Sequence, residues 1–187
     1  PIYPTISQEE YKHILSHSEV KVIFVGDKGL YQKLLPLTDE LIDFKGIFCF
    51  QEVIDIPNWK EVTEKGKAVA HELVDELFKI KNSIQPDDVV SMIYTSGTTG
   101  VSKGVMLSHT NFLSNYNAVA PLFNLVPGDK AVSFLPLSHV LERMVNYFYQ
   151  SKGVSIYYAD SLATIGDTIK EIKPQVFITV PRMLEKT

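Results

Sequence analysis

Short apolar runs alternate with amphipathic segments along the 187-residue chain, and this alternation is the feature that most constrains its fold. The apolar runs have the length of buried strands, and the segments between them repeat apolar residues at helical spacing. Strict alternation of this kind predicts an α/β fold of layered, largely parallel sheets with flanking helices. The predicted strands are 21–25, 46–50, 89–93, 104–107, 131–135, 154–158 and 175–179, and the predicted helices are 7–18, 30–35, 59–81, 109–123, 139–150 and 161–172.

Two of these helices can be predicted in more detail. Ser7 is placed to cap the first helix, and Glu10 three residues later would complete a capping box. The segment 59–81 is predicted as one long amphipathic helix. Its apolar face would consist of Val62, Val69, Leu73, Leu77 and Ile80.

One connection between two predicted strands, residues 94–104, has an unusual composition of glycine, hydroxyl side chains and lysine. Gly97 and Gly100 permit a positive φ and a close approach of backbone to a ligand. Successive amides can form an anion-binding concavity, and Lys103 adds a flexible positive charge. The candidate binding residues are Tyr94, Thr95, Ser96, Gly97, Thr98, Thr99, Gly100, Ser102, Lys103 and Gly104.

A flexible surface linker is the usual interpretation of a Gly, Ser and Thr cluster, but linkers seldom lie between two strands. A Walker A loop does not fit either, because Lys103 follows Ser102 and precedes Gly104. The spacings of a dinucleotide fingerprint and of a nucleophile elbow are also absent. The residues alone therefore predict a phosphate-binding turn of unfamiliar spacing.

The sequence Tyr-Thr-Ser-Gly-Thr-Thr-Gly-Val-Ser-Lys-Gly-Val at 94–105 resembles the AMP-binding loop of the adenylate-forming enzymes. Three further segments resemble motifs of the long-chain fatty-acid–CoA ligases within that superfamily. They are Leu-Pro-Leu-Ser-His-Val-Leu-Glu-Arg at 135–143, Val-Pro-Arg-Met-Leu-Glu-Lys at 180–186 and Pro-Ile-Tyr-Pro-Thr at 1–5. The resemblance therefore runs from one end of the chain to the other.

The resemblance implies a reaction in two steps, in which ATP adenylates a fatty-acid carboxylate and CoA then takes the acyl group. It implies that the loop residues bind the phosphates of ATP, that His139 is catalytic beside the fatty-acid carboxylate, and that Arg182 supports the acyl channel. Mg²⁺ would accompany ATP. Its glutamate ligand would belong to a later family motif, so no metal ligand is assigned in this chain.

Residues 1–187 are expected to form part of the large N-terminal domain, without the C-terminal domain. Several later family motifs do not occur: the Tyr-Gly-x-Thr-Glu segment, the ribose-binding aspartate, the hinge and the C-terminal lysine. The isolated chain is therefore expected to be inactive. Two alternatives stay open, an acyl-AMP ligase that loads a carrier protein and a non-catalytic nucleotide-binding module.

The composition limits the kinds of partner and the location that we expect for this chain. The net charge is −4 and the lysines are scattered, which gives no electrostatic case for nucleic acid. Cys49 is the single cysteine, which excludes an intrachain disulfide, and its apolar neighbours predict a buried core residue. No run approaches the length of a membrane span. We expect a cytoplasmic protein whose full-length form can contact membranes peripherally, and exposed strand edges would allow the fragment to self-associate.

His13, His17, His109 and the Glu142–Arg143 pair are not assigned to catalysis. His13 and His17 lie four residues apart, a spacing that can bind metal, but no third ligand accompanies them and a solvated helix face is the favoured interpretation. His109 follows Ser108, which with Thr110 is a candidate helix cap. Glu142 and Arg143 are predicted to be structural.

Overall fold

The computed structural model describes residues 1–95, 101–159 and 161–181, and the chain divides into two compact units. The amino-terminal unit comprises Pro4–Asp88 with Tyr94–Met106. The carboxyl-terminal unit comprises Pro1–Tyr3, Val89–Ile93 and Leu107–Thr187. Each unit has its own core.

The amino-terminal unit is built on two parallel strands and the helices that pack against them. Ile23 of β1 is in register with Ile47 of β2, and Val25 is in register with Cys49. Cys49 is fully buried in the core, as its apolar neighbours predict. The elements are α1 (Gln8–His17), β1 (Val22–Val25), α2 (Lys28–Leu34), a 3₁₀ segment (Leu35–Glu40), β2 (Gly46–Cys49), α3 (Trp59–Val69) and α4 (Val74–Ser83).

The first helix begins at the predicted residue, but its capping box is only half formed. The Ser7 side chain accepts a hydrogen bond from the Glu10 backbone amide at 3.1 Å. The Glu10 carboxylate instead accepts a bond from Ser102, 92 residues along the chain. The Glu10 side chain, which the local motif assigned to the helix end, is thus engaged in a tertiary contact instead.

The prediction of one helix over 59–81 is wrong, because the structure contains α3 and α4 with a break between them. The Val69 carbonyl accepts from the amides of both Glu72 and Leu73, at 3.0 and 3.2 Å, and Leu73 has φ −99° and ψ 1°. Helices in proteins are stabilised mainly by packing of an apolar face. The predicted apolar face is exposed here, so packing of that face does not stabilise one continuous helix across the break.

Two strands flank the candidate loop and pair with each other: β3 (Val89–Thr95) and β4 (Lys103–Ser108). Ser108 then caps α5 (His109–Val119), with a complete capping box to Asn111. The helix ends before the predicted residue 123 because Pro121 follows, and the chain continues as a 3₁₀ segment, Ala120–Leu122.

The carboxyl-terminal unit contains a three-stranded parallel sheet in the order β6-β5-β7. Its core is formed by Ala131 of the central strand together with Val145, Phe148, Tyr149 and Val154. The elements are β5 (Lys130–Ser133), α6 (Val140–Ser151), β6 (Ser155–Tyr158), a 3₁₀ segment (Leu162–Thr164), α7 (Ile165–Ile172) and β7 (Val176–Phe177). The α/β prediction with largely parallel sheets and flanking helices is confirmed.

Candidate functional site

The candidate phosphate-binding loop starts at the end of β3 and leads into β4. Ser96, Gly97, Thr98, Thr99 and Gly100 lie outside the described residues, as does Arg182. Among the described members of the loop, Thr95 and Lys103 are exposed, Tyr94 and Gly104 are half-buried, and Ser102 is buried. The charged side chain at the start of β4 is therefore open to solvent and to a ligand.

Ser102 is held by two residues of α1. Its hydroxyl donates to the Glu10 carboxylate at 2.8 Å, and its carbonyl lies 2.8 Å from Nε2 of His13. Because a carbonyl oxygen only accepts, His13 Nε2 must carry a proton and donate. The Ser102 hydroxyl, one of the candidate phosphate donors, is used within the protein in this structure.

Tyr94, on the other side of the loop, also contacts α1. Its hydroxyl lies 2.6 Å from Nδ1 of His17. The Tyr94 ring stands nearly perpendicular to both histidine rings, with centroids 6.3 Å from His13 and 5.7 Å from His17. Burial raises the pKa of Tyr94, and a hydrogen bond with Ser18 offsets part of that rise. The interpretation of His13 and His17 as a merely solvated helix face therefore misses these contacts.

His139 lies in the carboxyl-terminal unit, beyond the carboxyl end of the central strand β5, where it is the N-cap residue of α6. Its Nδ1 accepts a hydrogen bond from the Leu141 amide at 3.3 Å. In the neutral imidazole this bond leaves the proton on Nε2, which is then a donor on an exposed side chain. The helix N-terminus beside it also favours an anion. Ligands of open parallel sheets commonly bind at this edge.

An apolar cavity of about 210 Å³ begins next to His139. It lies between α5 and α6, and the two residues that follow His139 are part of its wall. The lining residues are Leu107, Asn111, Phe112, Asn115, Val140, Leu141 and Met144.

Glu142, one turn into α6, is a buried carboxyl group with 2% of its surface exposed. It accepts hydrogen bonds from Ser133 at the end of β5 and from the Asn146 side chain, and Asn146 in turn accepts from the Tyr158 hydroxyl at 2.9 Å. Burial raises the pKa of Glu142, while hydrogen bonds from Ser133, Asn146 and the Phe134 backbone lower it in part. Burial and the nearby Glu142 charge also raise the pKa of Tyr149 to about 12.

Arg143 points to different partners from its neighbour Glu142. Its Nη1 donates to the Ser91 hydroxyl at 2.8 Å, and its Nε donates to the Tyr147 hydroxyl at 3.1 Å. The bond to Ser91 joins α6 to β3 within the carboxyl-terminal unit, and the bond to Tyr147 lies within α6. The structure thus gives Arg143, like Glu142, contacts that hold secondary-structure elements together.

A metal centre is not built from the described part of the chain. Within residues 1–95, 101–159 and 161–181, no three side chains of His, Cys, Asp or Glu are grouped to hold an ion. A search of the same residues for membrane spans finds no helix with the length and apolarity to cross a bilayer.

The model of the AMP-binding enzyme family matches residues 1–187, and the chain belongs to this family. The chain is 32% identical to the long-chain-fatty-acid–CoA ligase ACSBG2 of Xenopus laevis, over 99% of its own length and 26% of that protein. The curated relative is thus nearly four times longer than the part that matches.

Two solved structures share the fold. A long-chain-fatty-acid–CoA ligase of Archaeoglobus fulgidus superposes over the whole chain and 35% of its own, with a TM-score of 0.76 and 24% identity. An ATP-bound MatB of Rhodopseudomonas palustris superposes over the whole chain and 35% of its own, with a TM-score of 0.70 and 18% identity.

Proposed function

We propose that the full-length protein is an AMP-forming long-chain fatty-acid–CoA ligase. The observation that carries this proposal is the loop at 94–104, which lies between two paired strands in a member of the AMP-binding family. The 32% identity to a long-chain ligase over 99% of the chain supports the substrate class. On this proposal residues 1–187 are part of one N-terminal domain that contains both compact units.

In the first step a fatty-acid carboxylate oxygen bonds to the α-phosphorus of ATP, and the bond from that phosphorus to the pyrophosphate oxygen breaks. In the second step the CoA sulfur attacks the acyl carbon, AMP leaves and the thiol proton goes to solvent. The first step is the transfer of an adenylyl group, and such transfers at phosphorus depend on positioning and on stabilising negative charge. The loop amides, Lys103 and the loop hydroxyls other than that of Ser102, which donates to Glu10, supply those interactions for the β- and γ-phosphates.

His139 is proposed to take part in the same reaction, as the family resemblance implies. Its Nε2–H can donate to the fatty-acid carboxylate or to a phosphate oxygen, and the N-terminal amides of α6 stabilise the same charge. The apolar cavity that starts at Val140 and Leu141 can accept the first methylenes of an acyl chain.

Replacing His139 tests this role, and two variants separate it from helix capping. Asparagine caps helices well but lacks the imidazole donor, whereas alanine lacks both properties. We expect His139→Asn and His139→Ala each to lower the rate of adenylation by about 10²-fold, the typical loss for one donor to developing charge. Only the alanine variant should also lower the melting temperature. Full activity of His139→Asn would remove the imidazole from the mechanism.

The acyl acceptor distinguishes the proposal from the acyl-AMP ligase alternative. We expect the full-length protein to form acyl-CoA when it is given ATP, palmitate and CoA. Transfer only to a carrier protein, with no acyl-CoA product, would support the alternative and contradict the assignment to CoA.

We also propose that the chain can self-associate and that the full-length protein contacts membranes peripherally. Leu77 and Phe78 of α4 are 60% and 64% exposed, and an apolar helix face of this type is usually covered by another surface. A cytoplasmic location with peripheral membrane contact fits a ligase that acts on fatty acids.

A further inference from the structure

One face of α1 holds three polar residues that all point to the flanks of the candidate loop. Glu10, His13 and His17 are spaced three and four residues apart, which places them on one side of a helix. Glu10 and His13 contact Ser102, and His17 contacts Tyr94. All five residues belong to the amino-terminal unit.

We propose that Glu10, His13 and His17 are positioning residues that fix the two flanks of the phosphate-binding loop, Tyr94 and Ser102. This inference rests on the proposed function only for its effect on ATP. The anchoring itself is a property of the amino-terminal unit.

The opposite side of α1 makes the helix a firm support for such contacts. Tyr11, Ile14 and Leu15 are at most 4% exposed, and Tyr11 and Leu15 belong to the core that contains both parallel strands. An ion pair from Lys12 to Glu40, at 2.7 Å, adds a tie to the 3₁₀ segment. The polar face is therefore fixed relative to β1 and β2, and it transmits that position to Tyr94 and Ser102.

The three contacts differ in chemistry, which allows each to be removed without removing the others. His13 donates to a backbone carbonyl, Glu10 accepts from a hydroxyl, and His17 is hydrogen-bonded to a phenol hydroxyl. The two imidazole rings also lie 5.5 Å apart with an interplanar angle of 32°. A merely solvated pair of histidines would make none of the bonds to Ser102 and Tyr94.

The anchoring predicts how the loop responds to loss of each contact. Without the His13 bond, the Ser102 flank should open more often, because one hydrogen bond of ordinary net strength corresponds to about a tenfold change in an equilibrium. ATP must then bind to a protein in which the two flanks are correctly placed for a smaller fraction of the time. The KM for ATP should rise while kcat changes little, because the apparent affinity falls with the fraction of competent protein.

The test begins with four single variants of the full-length protein. His13→Leu and His17→Phe remove one bond each and keep an apolar or aromatic side chain, whereas His13→Gln keeps a donor for the Ser102 carbonyl. His71→Phe is the matched control, because His71 lies on the exposed segment between α3 and α4. Hydrogen exchange of the amides of residues 94–95 and 102–104 is measured without ligand, and the KM for ATP and kcat are measured by pyrophosphate exchange with palmitate.

We expect about tenfold faster exchange of the flanking amides in His13→Leu and His17→Phe, a similar rise in the KM for ATP, and values close to the parent in His13→Gln and His71→Phe. Coupling is checked with Tyr94→Phe, which should add little to His17→Phe because both remove the same bond. Amide hydrogen-exchange rates like those of the parent in both His13→Leu and His17→Phe would overturn the inference. A parent protein without pyrophosphate exchange would overturn the proposed function instead, and the amide measurements would still decide the anchoring.

Discussion

Replacing Lys103 by alanine is expected to reduce the rate of pyrophosphate exchange by the full-length protein by about 10²-fold or more, because the reaction loses a cation that offsets charge on the phosphates of ATP. Lys103 is the first residue of β4, and its side chain is exposed. Its backbone is paired with β3, which limits structural damage from the change. The loss should therefore appear in ATP kinetics and leave the melting temperature unchanged.

Two control variants define what the Lys103 result means. Lys103→Arg keeps the charge and should retain more activity than alanine, although a planar guanidinium does not replace an ammonium group in full. Lys65→Ala removes an exposed lysine of α3 and should leave ATP kinetics unaltered. Unchanged ATP kinetics in Lys103→Ala would exclude Lys103 from the mechanism.

Replacing Glu142 by alanine is expected to have the largest effect on stability, a loss of about 2–4 kcal/mol. The change leaves a cavity beside β5 and removes the acceptor for the side chains of Ser133 and Asn146, which are themselves buried. At about 4–8 °C per kcal/mol for a unit of under 100 residues, the melting temperature should fall by about 8–30 °C. Glu64→Ala, on the exposed face of α3, should leave the melting temperature unchanged, and the same result for Glu142→Ala would show that the buried network contributes nothing.

Glu142→Gln tests for a pH dependence of stability that the parent glutamate confers on the same site. Burial raises the pKa of Glu142 above the ordinary value of 4.5, so the folded state binds the proton more tightly than the unfolded state. This group therefore contributes most to stability below pH 4.5, and the contribution is lost as pH rises through the folded pKa. Glutamine cannot ionise, so the melting temperature of Glu142→Gln relative to the parent should increase between pH 4.5 and 7. A difference that is constant with pH would contradict the raised pKa.

The fold could be predicted well because local pattern and tertiary packing agree over most of the chain. The strands at 21–25 and 46–50 are apolar runs that pair in one core, and Ser7 and Ser108 cap helices through side-chain bonds. The break between α3 and α4 could not be predicted in this way. Apolar spacing continues smoothly through Leu73, and it carries no information on whether another surface covers that face.

The candidate site could be predicted only in part, because its supporting contacts join residues far apart in sequence. His13 and Ser102 are 89 residues apart, and Ser133 meets Glu142 only because β5 and α6 pack together. The spacing of Glu10, His13 and His17 on one helix face was a signal for a shared surface. It did not identify Tyr94 and Ser102 as the partners of that surface, because only the folded chain brings them together.

Fatty-acid-dependent exchange of pyrophosphate into ATP tests the central proposal most directly. With the full-length protein, ATP and Mg²⁺, we predict that palmitate stimulates exchange in the absence of CoA, since adenylation precedes thioester formation. The 187-residue chain alone should give no exchange under the same conditions. Exchange that does not depend on a fatty acid, or its absence in the full-length protein, would contradict the assignment as an AMP-forming long-chain fatty-acid ligase.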